Sequence, residues 1–290
     1  MPVALNLEPV DALFGVTVRD LDLAQIDDLT KEAISEAWIE YGLLIFPDQH
    51  LTNAQQDEFA KRFGTLEFTA TALTNARRNG DLRSDPGDTL VKSLKANEGW
   101  HHDSTYLPVQ AKGAVFSAEI VPDSGSTTEF ADMRSAYENL APDTAALVGD
   151  LNAFHSRRYS MERAGYQVSD TEADINSLYG FNVDDPPLRP LVKIHPDSGK
   201  PNLTIGQHAF DIPGLSETES AGLLDRLNEQ SCQSTRVYSH QWSVGDTILW
   251  DNLRLMHRAR PFDWTQPRRM WHTRIAGNPT TETALNYPNQ

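Results

Sequence analysis

Apolar positions along this chain switch between helical spacing and short unbroken runs, and the switches mark out its elements. Over residues 27–39, Leu29, Ala33, Ile34, Ala37 and Trp38 fall at helical spacing and predict a helix. Asp27 and Asp28 stand at its start, where the helix dipole favours carboxylates, and Gly42 ends it. Leu43-Leu44-Ile45-Phe46 is a continuous apolar run closed by Pro47-Asp48, which predicts a short buried strand. A second helix is predicted over 52–64, with Thr52 as N-cap and Gly64 as stop. Both helices read as scaffold padding one face of a sheet.

Residues 70–92 are polar and carry the turn signals Asn79-Gly80 and Asp85-Pro86-Gly87-Asp88, so a loop is expected there. A strand is predicted over 113–121, and a further helix is predicted to start at Ala131 in the stretch 131–140. The stretch 156–187 is polar and irregular, with Tyr159, Tyr166, Tyr179 and Phe181 scattered through it, and reads as a lid-like loop. Strands are expected at 191–195 and 202–205, joined by a turn at 197–200. Gly245-Asp246 turns into another at 247–250, and the last covers 270–275. Residues 278–290 form a polar tail with no evident core role. Short strands, with helices mainly near the N-terminus, predict a mainly β protein, a sandwich or jelly roll, with residues 1–290 as a single domain.

Bulk composition narrows the function. Hydrophobic residues make up 39%, with six Trp and eleven Phe, enough for a buried core. The formal charge of −16 argues against a nucleic-acid partner, and an acidic small molecule would need local cations to hold it. No apolar run is long enough to span a membrane, and no disulfide is possible within a chain whose only cysteine is Cys232. A cytoplasmic protein is expected, and a symmetric homo-oligomer is compatible with it.

Chemistry concentrates in Gly99-Trp100-His101-His102-Asp103-Ser104-Thr105-Tyr106, which reads as extended. On a strand, His101 and Asp103 project from one face and can grip one ion, while His102 points away into packing or towards a pocket rim. One more imidazole completes two histidines and a carboxylate, a facial triad that leaves three positions open on a non-haem Fe(II). His257, in Trp250-Asp251-Asn252-Leu253-Arg254-Leu255-Met256-His257, is the best candidate, with Asp251 and Asn252 as supporting contacts. His50, His155, His195, His208 and His240 lack a carboxylate at ligand spacing and read as surface or core groups.

An HxD motif, a WDN-x4-H segment and Arg268 eleven residues beyond that histidine together resemble the taurine dioxygenase/TfdA family, and within it the aryloxyalkanoate dioxygenases. The resemblance runs from Gly42-Leu43-Leu44-Ile45-Phe46-Pro47 to Ile275-Ala276-Gly277. It implies a double-stranded β-helix (jelly roll) with N-terminal and inserted helices, and the triad in its open mouth. It also implies Fe(II), with 2-oxoglutarate and O2 as cosubstrates. Arg268 matches the arginine that holds the far carboxylate of 2-oxoglutarate, although a slip of one residue would exchange it for Arg269. Thr128 matches the threonine that adds a hydroxyl there.

Asn97 matches a position near the substrate. His272 occupies the place where many relatives with acidic substrates carry an arginine, and Arg274 lies two residues further on; with Asn97, both are candidate substrate contacts. On one strand Arg268, Met270, His272 and Arg274 should face the same way. The implied reaction hydroxylates an unactivated C–H of a small, hydrophobic organic acid, forming succinate and CO2, with ether cleavage where the carbon bears an ether oxygen. Rival readings keep this chemistry on an N-acyl amino acid or terpenoid, or replace it with a non-catalytic metal-binding β-barrel or a zinc hydrolase. A clamp for 2-oxoglutarate argues against the last two.

Overall fold

The computed structural model describes residues 3–83, 85–166 and 185–288. Strands β1 (Asn6–Pro9) and β2 (Val16–Arg19) precede α1 (Asp28–Tyr41), β3 (Leu43–Phe46) and α2 (Asn53–Lys61). Next come β4 (Leu66–Thr74), α3 (Thr89–Ala96), β5 (Gly113–Ile120), β6 (Thr128–Asp132), α4 (Met133–Glu138) and α5 (Pro142–Gly149). The chain continues through β7 (Asn152–His155), α6 (Arg157–Arg163), β8 (Leu188–Pro190), β9 (Val192–Ile194), β10 (Pro201–Leu203) and β11 (Ala209–Phe210). It closes with α7 (Glu217–Ser231), β12 (Val237–His240), β13 (Thr247–Asp251), β14 (Leu255–Ala259), β15 (Arg269–Ile275) and α8 (Pro279–Glu282).

Two sheets carry the jelly roll. The larger has the order β1-β2-β3-β13-β5-β15-β4, and the smaller is β12-β6-β14. Ile248, Trp250, Phe116 and Met270 of the first sheet meet Phe130, Leu255 and Trp242 in one buried cluster. Alternation on β13 sends Leu249 the other way, into a second cluster with Ile34, Trp38 and Phe59 of the padding helices. That is why Ile248-Leu249-Trp250 reads as an unbroken apolar run: the strand is covered on both faces.

The predicted helix starts hold at atomic detail. Asp27 Oδ1 accepts the Thr30 N–H at 2.8 Å, and Thr52 forms a capping box with Gln55. Gly42 takes φ 74°, the left-handed value that glycine allows at a helix end.

Four expectations change. Residues 70–92 are not one loop: β4 reaches Thr74 and α3 starts at Thr89, its N-terminus capped by Asp88. The expected helix at 131–140 begins only at Met133, because Ala131 and Asp132 finish β6. The irregular stretch at 156–187 contains α6, capped by Ser156, while Tyr179 and Phe181 lie outside the described residues. The polar tail is not idle, since Glu282 is 1% exposed against Lys193, and Ala284 and Leu285 donate backbone N–H groups to Pro108 and Leu188. Among the described residues no helix is long and apolar enough to cross a membrane.

Candidate active site

Residues 156 apart in sequence meet through one backbone bridge. The His101 N–H donates to the His257 carbonyl at 3.0 Å, and the His257 N–H donates to the His101 carbonyl at 2.9 Å. The chain after His101 does not continue as a strand; it turns, with Ser104 at φ 57°. Asp103 thus reaches the same side as His101 through a turn rather than through strand alternation. Asn252 holds that turn: its side-chain oxygen accepts the Asp103 N–H at 2.7 Å, and its amide donates to the carbonyls of Asp103 and Ala111. His102 points away into packing, with Nδ1 2.7 Å from the Asn252 carbonyl. Gly206 lies behind His101, where an added Cβ would come within 2.9 Å of the Trp100 carbonyl.

The ligand atoms of His101, Asp103 and His257 lie within 4.8 Å of one another, the one such group among the described residues. His101 Nδ1 stands 2.7 Å from the Gly99 carbonyl and must donate to it, which leaves the Nε2 lone pair free. Asp103 Oδ2 is buried without a hydrogen-bond partner and lies 3.9 Å from His257 Nε2. Burial lowers the His101 pKa to about 4 and that of His257 well below its ordinary value, so both imidazoles are neutral near neutral pH. Burial alone would raise the Asp103 carboxyl, but the Arg274 guanidinium beside it holds it well below the usual carboxylate range. Two neutral imidazoles and an ionised carboxylate with an orphaned oxygen form a donor set that fits Fe(II).

A cavity of about 530 Å³ opens over this cluster, within the range of small-molecule sites. Arg268 lines it and is 6% exposed; Arg269 lies outside, paired with Glu119 at 2.9 Å. Asn75 fixes the register, its side chain accepting the Arg268 N–H at 2.8 Å. No carboxylate of the described residues lies within ion-pair distance of Arg268, whose Nε donates to Ser126 Oγ at 2.5 Å. Burial pulls its pKa down to about 10, still charged at neutral pH. A buried cation of this kind calls for an anion. Thr128 lines the same cavity, and Trp242 Nε1–H donates to its Oγ1 at 2.9 Å. With that lone pair engaged, the hydroxyl hydrogen of Thr128 remains available to an anionic oxygen.

Asn97 caps the end of α3 and lines the cavity, with its Oδ1 accepting from Arg157 Nη2 at 3.2 Å. His272 shares the cavity wall but stacks on Trp250 and stands 3.5 Å from Asp103 Oδ2. Burial lowers its pKa to about 3, so a protonated His272 is not what a substrate anion would meet. Arg274 faces inward as expected, yet it is engaged by Asp103 at 2.8 Å and Glu67 at 3.1 Å. Arg274 is thereby a partner of the Asp103 carboxylate.

Glu67, Ser126, Arg157 and Trp242 were not singled out in sequence. Ser126 follows Gly125 in a turn next to Thr128, and that proximity was the one available signal; the other three are brought in by tertiary pairing alone.

This fold with this site defines a non-haem iron dioxygenase that uses 2-oxoglutarate. The family described as "Taurine catabolism dioxygenase TauD, TfdA family" matches residues 6–275, and the chain belongs to it. It is 51% identical to the (S)-phenoxypropionate/alpha-ketoglutarate-dioxygenase of Sphingobium herbicidovorans, covering 98% of this chain and 99% of that protein. It is 46% identical to the enzyme of the same name from Delftia acidovorans, over 98% and 99% of the two chains. The crystal structure of AAD-2 in complex with Mn(II) and N-oxalylglycine superposes with a TM-score of 0.88 at 34% identity, over 98% of this chain and 99% of that one.

Proposed function

We propose that this protein cleaves the ether bond of 2-aryloxypropionates, with preference for the S enantiomer, as a single dioxygenase domain in a reducing cytoplasm. The observation that carries the reading is a buried, carboxylate-free guanidinium, Arg268, in the same cavity as two neutral imidazoles and an orphaned carboxylate oxygen. The 51% identity to an (S)-phenoxypropionate enzyme over nearly the whole chain supports the substrate class. The balanced reaction is ArO–CH(CH3)–COO− + 2-oxoglutarate + O2 → ArOH + pyruvate + succinate + CO2.

Each residue has a task in this reading. His101, Asp103 and His257 hold Fe(II), which with 2-oxoglutarate and O2 supplies the oxidising power for C–H hydroxylation. Arg268 and Thr128 take the far carboxylate of 2-oxoglutarate, the guanidinium by a charge-assisted contact and the hydroxyl through its remaining hydrogen. Ser126 and Trp242 hold those two side chains in position. Leu73, Phe116 and Phe262 supply apolar wall for an aryl ring, and the Asn97–Arg157 pair adds a polar, cationic edge for the acid end. Hydroxylation at the carbon bearing the ether oxygen gives a hemiketal, which collapses to a phenol and pyruvate.

A substrate panel tests this. Succinate formation from 2-oxoglutarate is expected to be stimulated most by (S)-2-phenoxypropionate, less by its R enantiomer and by phenoxyacetate. Equal or greater stimulation by N-acyl amino acids or terpenoid acids, without phenol release, would replace the substrate class while keeping the dioxygenase.

A further inference from the structure

The two oxygens of Asp103 are treated differently by their surroundings. Oδ1 accepts from Arg274 Nη2 at 2.8 Å, while Oδ2 has no hydrogen-bond partner and faces His257 and His272. Arg274 is itself fixed, with Nη1 donating to Glu67 Oε1 at 3.1 Å and to Ser104 Oγ at 3.0 Å. Ser104 Oγ donates in turn to the Glu67 carboxylate, and the guanidinium of Arg274 lies 4.6 Å from the centre of the Phe68 ring. All of these groups are buried or nearly so; Arg274 is 3% exposed.

Two backbone irregularities converge on this cluster. Opposite β15, Arg274 pairs with Phe68 but Ile275 pairs with Leu66, so Glu67 is an extra residue in β4. Such a bulge re-aims a side chain, here towards Arg274 and Ser104. Ser104 adopts φ 57°, a left-handed value uncommon for a residue other than glycine. Departures like these persist where the surrounding contacts over-determine them, and they gather at functional sites.

We propose that Arg274, set by Glu67 and Ser104, is a positioning residue that ties off Oδ1 of Asp103, so that the carboxylate reaches a metal ion through Oδ2 alone. The inference rests on the reading of this site as an iron and 2-oxoglutarate site. Two imidazoles and one carboxylate oxygen leave three positions on a six-coordinate ion. A carboxylate bound through both oxygens would occupy one of them, leaving the chelating 2-oxo acid, which needs two, no choice of position and the ion no place for a further ligand. Arg274 acts on the cosubstrate through Asp103, without touching it.

The test measures 2-oxoglutarate binding by calorimetry to Mn(II)-loaded protein, with no turnover involved. Arg274→Gln is expected to retain Mn(II) but to lose at least about tenfold in 2-oxoglutarate affinity, the scale typical of groups that orient a metal ligand. Glu67→Gln should lose less, in the same direction, and Arg274→Lys should recover part of the loss. A role in packing alone would lower the melting temperature and leave 2-oxoglutarate affinity unchanged. A folded Arg274→Gln protein with affinity within about twofold of wild type would overturn the proposal. Should that variant not fold, Glu67→Gln and Ser104→Ala decide, and wild-type affinity in both overturns it. Wild-type protein that binds Mn(II) but no 2-oxoglutarate would overturn the function itself, and this inference with it.

Discussion

The two ends of the cavity are built differently. At the proposed metal and cosubstrate end, His257 and Thr128 project from paired strands, and the His101–His257 bridge and Asn252 lock His101 and Asp103. At the other end, the wall comes from the last turn of α3, from Arg157 at the start of α6, and from Phe262 and Trp264 in a turn before β15. Chemistry that must be exact sits on rigid elements, and the segments that would choose the substrate sit on connections that tolerate change.

The sharpest way to break that contrast is at the metal end. Asp103→Ala should bring substrate-dependent succinate formation to background and abolish Mn(II) binding; retained turnover would show that the cluster is not the metal site. Acid should strike the same end. His101, His102, His155, His208 and His272 are buried and His257 nearly so, all with lowered pKa values, whereas their unfolded values lie near 6.5. Below pH 6.5 the unfolded chain binds protons that the folded protein refuses, so stability is full above that pH and falls as pH drops towards 4. Each such histidine adds to that loss until its folded value is reached. Thermal melting of metal-free protein should therefore hold steady from pH 8 to about 6.5 and decline steeply below it; a flat profile would contradict the buried, neutral imidazoles.

Smaller effects sharpen the comparison. Arg268→Ala should raise the KM for 2-oxoglutarate about 10- to 100-fold, from the loss of charge-assisted hydrogen bonds worth about 1.5–3 kcal/mol. Its neighbour Arg269, in a partly exposed pair with Glu119, should shift it by no more than about fivefold on substitution by alanine. Equal effects at both positions would undo the register set by Asn75. At the far end, Leu90→Ala and Leu94→Ala, which line the cavity from α3, should change the preference between aryl and non-aryl acids about tenfold while leaving the KM for 2-oxoglutarate alone.

Legibility in the sequence follows the same division. His101, Asp103 and His257 stood out because metal ligation needs particular residue types, and Arg268 because its distance from His257 is carried along one stretch of chain. β3 and the centre of β13 are readable because burial on both faces leaves an unbroken apolar run. By contrast, β4 was hidden in a polar stretch, since its middle residues alternate exposed and half-buried at the edge of the sheet. Glu67 could not be found at all: a bulge re-aims it, and bulges leave no period. Trp242 and Thr128 meet across 114 residues, a contact that no local pattern encodes. His101 and Asp103 do share one face, but a turn held by Asn252, and not strand alternation, brings them there.

The most direct test of the central claim is stoichiometry with (S)-2-phenoxypropionate in the Fe(II)-loaded enzyme, following O2, succinate, phenol and pyruvate together. Coupled ether cleavage at this site requires equal amounts of O2 consumed and of succinate, phenol and pyruvate formed, all lost together in Asp103→Ala. Phenol released without succinate or O2 uptake, or in equal amount by Asp103→Ala, would contradict it.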